Sequence, residues 1–446
     1  MKKLNIFLFL IFSLIIFSLS IFQSSVEHWS NDFDQNTIYI NNIIELNTGY
    51  YQSDINHPAY TTYSLNLIIL NIIKLFDSNL YFSINNFSFL NLDSYLSRVF
   101  FYSKIINTLF GVLLIYYLIK ILKIYKTNTL VICGLIFILL SYSRYLELIL
   151  VLRSEILSIV FSLCSFYYAT KFKKSKNQYH VFLSGFVFLL AVLAKIQIIF
   201  FFIIFLFLIF IYLKKISLRE IFFFFFGIFF CYFLIYILDL FNLIKFNPNI
   251  INKIIHPIDS MADSSSLDLK LIINKENLLD YNFYFKQFKI FIRNLTYDVF
   301  GYRKYNYNIF GIIILLFYLF LYKKLNNKFD SWTLILLIGF FSLILTQNFR
   351  SQSFYNIYSI TIYCLLLAHL TKNNSLKENI LFFFLSIIIF MSELDNTYAY
   401  LKTMYFDKKN SSFFSTCLNL DIIDLKHYVP ILENVIRETC SKFVVF

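Results

Sequence analysis

Between Ile221 and Phe241 the chain reads IFFFFFGIFFCYFLIYILDLF, with one charged residue, Asp239. A run of about 20 apolar residues matches the hydrocarbon thickness of a bilayer. Similar runs recur from the N-terminus to about residue 394. Inside a bilayer every backbone N–H and C=O must be bonded within the protein, which leaves helices or a closed barrel. Barrel strands alternate polar and apolar residues, and these runs do not. The chain therefore reads as all-α, a polytopic transmembrane helical protein.

The first run follows Met1-Lys2-Lys3 and ends near Phe22. It is too long for the h-region of a signal peptide and no A-x-A-like site follows, so it reads as an uncleaved span. Further spans are expected at 100–119, 127–141, 155–170, 180–196, 197–213, 219–241, 307–322, 331–347, 353–370 and 378–394, about eleven in all. Residues 1–394 then form one transmembrane domain, with a first outer loop at 23–99 and a second at 242–306. Residues 395–446 form an extracytoplasmic tail, where Cys417 and Cys440 either form a disulfide or remain two thiols. Residues 63–76, YSLNLIILNIIKLF, are apolar but too short to span, and suit a helix lying in the interface.

Charge placement orients the bundle. Lysines cluster between spans at Lys2-Lys3, Lys120 to Lys126, Lys171 to Lys176, Lys214 to Arg219, Lys323 to Lys328 and Lys372 to Lys377. Opposite-side stretches hold fewer: Lys74, Arg98, Lys104, Arg144, Arg153, Lys195 and Arg350. The richer side is the cytoplasmic one. That gives a cytoplasmic N-terminus in a bacterial inner membrane and a periplasmic working face. The net charge of +13 is explained in this way. No nucleic-acid motif accompanies it, so a nucleic-acid partner is not expected.

Candidate chemistry gathers on the outer side. SNDFDQNTIYINNIIELNTGYYQSDINHPAY, Ser30 to Tyr60, holds Asp32, Asp34, Glu45 and Asp54 and no Lys or Arg. Asp32 and Asp34 follow the first span. A carboxylate there can act as a general base or simply cap a helix. His57 precedes Pro58 and either reaches a ligand or caps the turn. The stretch YSRYLELILVLRSE, 142–155, reads as a short turn. Its Arg153 and Glu155 are either a structural ion pair or a phosphate site, since arginine grips phosphate with two hydrogen bonds. Lys195 closes LAVLAKIQ, 190–197, and either meets a phosphate or snorkels to the interface. Arg350 and Tyr355, in TQNFRSQSFYNIY, carry the same two readings. Cys133, Cys164, Cys231 and Cys364 fall in apolar runs, where cysteine behaves as a small hydrophobe. There is no P-loop, HExxH or G-x-S-x-G, so ATP-driven transport, zinc proteolysis and serine hydrolysis have no motif behind them.

The order NDFDQNTIY…ELNTGYY…NHPAY, then LRSEILSIVFSLCSFYYATKF, then LLAVLAKIQ resembles the GT-C superfamily of integral-membrane glycosyltransferases. The similarity is to the branch of dolichyl-phosphate mannosyltransferases and aminoarabinose transferases. It covers about residues 1–210 and, weakly, the Arg350 region. The resemblance implies a polyprenyl-phosphate-linked sugar donor, a lipid or glycan acceptor, and inverting transfer on the outer face. It implies Asp34 as the catalytic base with Asp32 as its rival, because Gln35 replaces the second acid of the family pattern. It places Arg153, Lys195 and Arg350 on the donor phosphate, and His57, Glu155 and Tyr355 in contact with donor or acceptor. No cofactor is required; two carboxylates are too few ligands to demand a divalent cation. Two rivals remain: a transporter or flippase of lipid-linked saccharides, and an O-antigen ligase or polymerase, for which the outer loop offers Arg293 and Arg303.

Overall fold

The structure is a computed structural model. It describes residues 2–26, 38–47, 51, 59–80, 89–141, 143–150, 152–195, 217–247, 249–250, 285, 288–289, 310–326, 329–348 and 356–391. Among the described residues it is helical without strands. Helices are α1 (Lys2–Val26), α2 (Ile38–Asn47), α3 (Tyr60–Ile73), α4 (Phe89–Ile124), α5 (Thr129–Ser141), α6 (Ser143–Leu150), α7 (Glu155–Ser175) and α8 (Gln178–Ala194). Then follow α9 (Leu218–Leu240), α10 (Phe310–Asn326), α11 (Ser331–Asn348) and α12 (Asn356–Leu370), and α13 (376–391).

Two stretches among the described residues are long and apolar enough to cross a membrane, Ser94–Ile124 and Leu218–Leu240. The other apolar helices, such as Thr129–Ser141 and Ile357–Leu370, are shorter. The exposed surface agrees for the second, since the first is mostly buried among other helices. Along α9, Phe222 and Phe229 are each 64% exposed, beside exposed Phe225, Phe233 and Tyr236. A soluble monomer rarely shows an apolar face that large, so the surface points to membrane association.

Helix α4 is the hub, packed by α1, α2, α3, α6 and α7, while α7, α8 and α9 continue outward as a row. Small polar residues tie the row together. Ser165 donates to the Ser184 carbonyl at 2.8 Å and Ser184 donates to the Ser165 carbonyl at 2.9 Å. Between α8 and α9 glycine sets the spacing. A Cβ on Gly185 would fall on the Phe224 carbonyl oxygen, and one on Gly227 on the Phe182 carbonyl oxygen. Backbones come this close where small residues line a helix crossing, which compensates for the lack of a hydrophobic drive between helices in lipid. On the other flank α12 is buried along its length from Ile357 to Leu370. Tyr358 shares a 2.6 Å hydrogen bond with Ser158 of α7, and Tyr363 donates to the Gly311 carbonyl at 2.7 Å.

Helix starts use side-chain caps. Ser217 and Glu220 form a capping box on α9, and Asn177 accepts from the Tyr179 N–H of α8. Asp330 accepts from the Thr333 N–H at 2.8 Å to start α11. Burial pushes the Asp330 carboxyl up, but bonds from Thr333 and the nearby His369 outweigh it and hold the group below its ordinary range.

Three boundaries differ from expectation. Helix α4 begins at Phe89, so the first outer loop ends earlier than 99. Arg98 does not break it, because Asp77 takes its guanidinium at 2.6 Å. The interfacial helix runs Tyr60–Ile73, three residues earlier than 63–76. The turn at 142–154 is largely a helix, α6. Its last carbonyls, Leu148 and Ile149, accept from Asn107 of α4, each at 2.9 Å, so a partner 41 residues away closes the end of a short helix. The expected span 197–213, the bulk of the loop 242–306 and the tail 395–446 lie outside the described residues.

Candidate functional site

Glu155 opens α7 and is 2% exposed. Lys195 follows the last residue of α8, where the helix dipole favours a cation, and is 6% exposed. Helices α7 and α8 are antiparallel neighbours joined by a short turn, so the start of one meets the end of the other. The Lys195 ammonium lies 3.1 Å from Glu155 Oε1. Arg153, in the link between α6 and α7, brings a guanidinium nitrogen to 3.9 Å of the same oxygen. Three of the expected site residues therefore form one buried cluster with two positive charges and one negative. A buried ammonium needs a counter-charge, and Glu155 supplies it.

Helix α3, from the expected first outer loop, packs beside this cluster. Thr62 of α3 approaches the Ala194 carbonyl at 3.5 Å, one residue before Lys195. From α3 a buried polar chain leads away. Asn66 donates to the Tyr39 hydroxyl at 3.1 Å and accepts from Ser103 at 3.0 Å. Tyr39 also meets the Tyr63 ring edge-on at 5.0 Å. The second outer loop begins at the same end. Phe246 packs edge-on against Tyr60 at 4.7 Å, and Lys245 lies 5.4 Å from the centre of the Tyr51 ring.

The catalytic candidates Asp32 and Asp34, with His57, Arg350 and Tyr355, lie outside the described residues. The chain re-enters at Ile38, so Asp34 stands five residues before Tyr39 of the polar chain. Among the described residues no group of three or more His, Cys, Asp or Glu is placed to hold a metal ion.

Two residues gain weight that the sequence did not give them. Lys104, counted only as an outer charge, is 0% exposed on α4. Its ammonium lies 4.7 Å from the centre of the Phe100 ring, a favourable contact for a desolvated cation. Glu45, grouped with the bare acids of the loop, is 5% exposed within α2. The signal for Lys104 was present: one charge inside a helical run is costly and tends to be functional or paired.

The chain matches no protein-family model, and no curated protein matches it.

Proposed function

We propose that the protein is a membrane glycosyltransferase of the GT-C type. It would move a sugar from a polyprenyl phosphate to a lipid or glycan acceptor at the end of the bundle where Glu155 and Lys195 sit. The observation that carries the reading is the convergence of Arg153, Glu155 and Lys195 into one buried cluster, with helix α3 packed beside it. The eleven-span count, the inner-membrane location and the periplasmic face belong to the same proposal.

The chemistry follows from those charges. The acceptor hydroxyl oxygen forms a bond to the anomeric carbon while the bond from that carbon to the phosphate oxygen breaks. The acceptor proton passes to Asp34 or Asp32. The departing polyprenyl phosphate gains one negative charge, and fixed cations aimed at that charge lower the barrier. Arg153 and Lys195 serve there, with Arg350 as a third. Glu155 is a positioning residue: it holds both cations by one oxygen and leaves the cluster with a net single positive charge. His57 and Tyr355 contact donor or acceptor. The apolar outer face of α9 offers a surface for the prenyl chain.

Lys104 favours a second reading, since a transporter of lipid-linked saccharides keeps ionisable groups within its spans. The two are separated by a transfer assay on purified protein with polyprenyl-phosphate sugars. Asp34→Asn is expected to lose turnover by about 100-fold or more, the size of a general-base contribution, while still folding. Asp32→Asn is run beside it. Full turnover in both variants overturns the catalytic assignment, and saccharide movement across vesicles without transfer favours the transporter.

A further inference from the structure

At the end of α7 opposite Glu155, four helix ends meet around a cavity of roughly 470 Å³. Lys126 follows α4, Lys173 and Lys174 end α7, and Lys372 follows α12, and all four line the cavity. Each is exposed. Asp330 and His369 line it too, paired at 3.1 Å. Trp332 and Ile335 of α11 supply an apolar wall, with the Trp332 ring stacked on Phe166.

Positive charge beside spans orients them, and that accounts for lysines at this end in general. It does not account for a cavity, nor for the backbone at Lys126. That residue ends α4 with φ of 59°. The Thr127 N–H bonds to the Leu122 carbonyl at 3.1 Å, which closes the helix with the motif that ordinarily has glycine in the left-handed position. A side chain with a Cβ is strained there. Lys176 and Asn242, after α7 and α9, adopt the same left-handed conformation, so the cap fixes where the Lys126 side chain starts and the cavity itself marks the site.

We propose that this cavity binds a phosphate group, with Lys126, Lys173, Lys174 and Lys372 as its cationic wall. Asp330 is engaged by His369 and by its cap to α11, so it is occupied within the protein. The mixed wall, cationic on one side and carrying an indole on the other, suits the headgroup of an anionic phospholipid at a membrane surface. A free phosphate shares the recognising chemistry. The site does not depend on the glycosyl-transfer reading, because it stands at the other end of the bundle.

The test uses full-length protein in detergent. It reads protection of Lys126, Lys173, Lys174 and Lys372 from an amine-reactive label, peptide by peptide. Phosphatidylglycerol in mixed micelles is expected to protect these lysines, and phosphatidylcholine is not. Protection by inorganic phosphate as well assigns recognition to the anion alone; protection by phosphatidylglycerol only assigns it to the lipid headgroup. Lys126→Gly relieves the left-handed backbone, so its melting temperature holds or rises while lipid affinity falls about fivefold, the loss expected for one lysine at an anionic surface. Lys372→Gln is the second variant, with a loss of similar size. Equal protection by both lipids and none by phosphate overturns the proposal. So does parental affinity in both variants.

Discussion

At the scale of residues, the junction of α7 and α8 depends on one carboxylate. Glu155 is buried and receives Lys195 at 3.1 Å and Arg153 at 3.9 Å. Replacing one member of a buried pair leaves the other charge desolvated without compensation, which costs about 3–5 kcal/mol. Glu155→Gln is therefore expected to lower the melting temperature of detergent-purified protein sharply. Glu155→Leu combined with Lys195→Met recovers part of the loss, because the stranded ammonium is gone while the Arg153 guanidinium has still lost the Glu155 carboxylate. A stable single variant would show that the cluster does not hold the junction. The sequence offered Arg153, Glu155 and Lys195 as candidates on one side. It did not offer their meeting at one oxygen, because 40 residues separate Glu155 from Lys195 and only the antiparallel turn of α7 on α8 brings them together. Asn66, with its bonds to Tyr39 and Ser103, was illegible for a similar reason: LNLIILNI holds both Asn66 and Asn71, and no spacing marks out the first.

At the scale of elements, hydrophobic runs announced the helices well but misplaced their ends. Phe89 to Val99 read as loop because Asp93 and Arg98 interrupt the apolar pattern. In the fold, Arg98 finds Asp77 and the helix continues. Helix α6 read as a turn because its charged residues suggested a surface loop, and its stop comes from Asn107, which local sequence cannot show. Glycine in the apolar runs was visible, but its purpose was not. Gly185 and Gly111 make a matched pair of tests. A Cβ on Gly111 meets the Ile149 side chain, Cδ1 at 2.5 Å and Cγ1 at 2.6 Å, whereas one on Gly185 meets backbone. Alanine gains up to about 1 kcal/mol of helix propensity at either position. At Gly111 only the buried Ile149 side chain has to shift, which offsets much of that gain. At Gly185 the helices must part, at about 1–3 kcal/mol. Gly185→Ala is expected to melt at a lower temperature than the parent, and at a lower temperature than Gly111→Ala, whose clash is with a side chain alone. The same melting temperature for both variants would mean that the α8–α9 crossing does not control stability.

At the scale of the molecule, three helices measure the same distance between their polar ends. Glu155 and Lys173 on α7 are 18 residues apart, Lys104 and Lys123 on α4 are 19, and Asn177 and Lys195 around α8 are 18. A rise of 1.5 Å per residue makes these separations about 27–30 Å, the thickness of a bilayer's hydrocarbon layer. Lysines that the sequence spread over three loops meet at one end, around the proposed phosphate cavity. The buried ionic cluster and both outer loops meet at the other. The proposed function requires such a bundle to cross the membrane with its ends facing opposite compartments. The arrangement can be read by labelling single cysteines in intact cells, with Cys417 and Cys440 changed to serine. Cys133, Cys164, Cys231 and Cys364 are buried and serve as a silent background. A cysteine at Lys176, in the turn between α7 and α8, is expected to react with a membrane-impermeant maleimide only after the membrane is opened. One at Ser78, exposed between α3 and α4, reacts in intact cells. Reaction of both positions in intact cells, or of neither, would break the alignment of the two ends with two compartments, and with it the outward-facing site that glycosyl transfer requires.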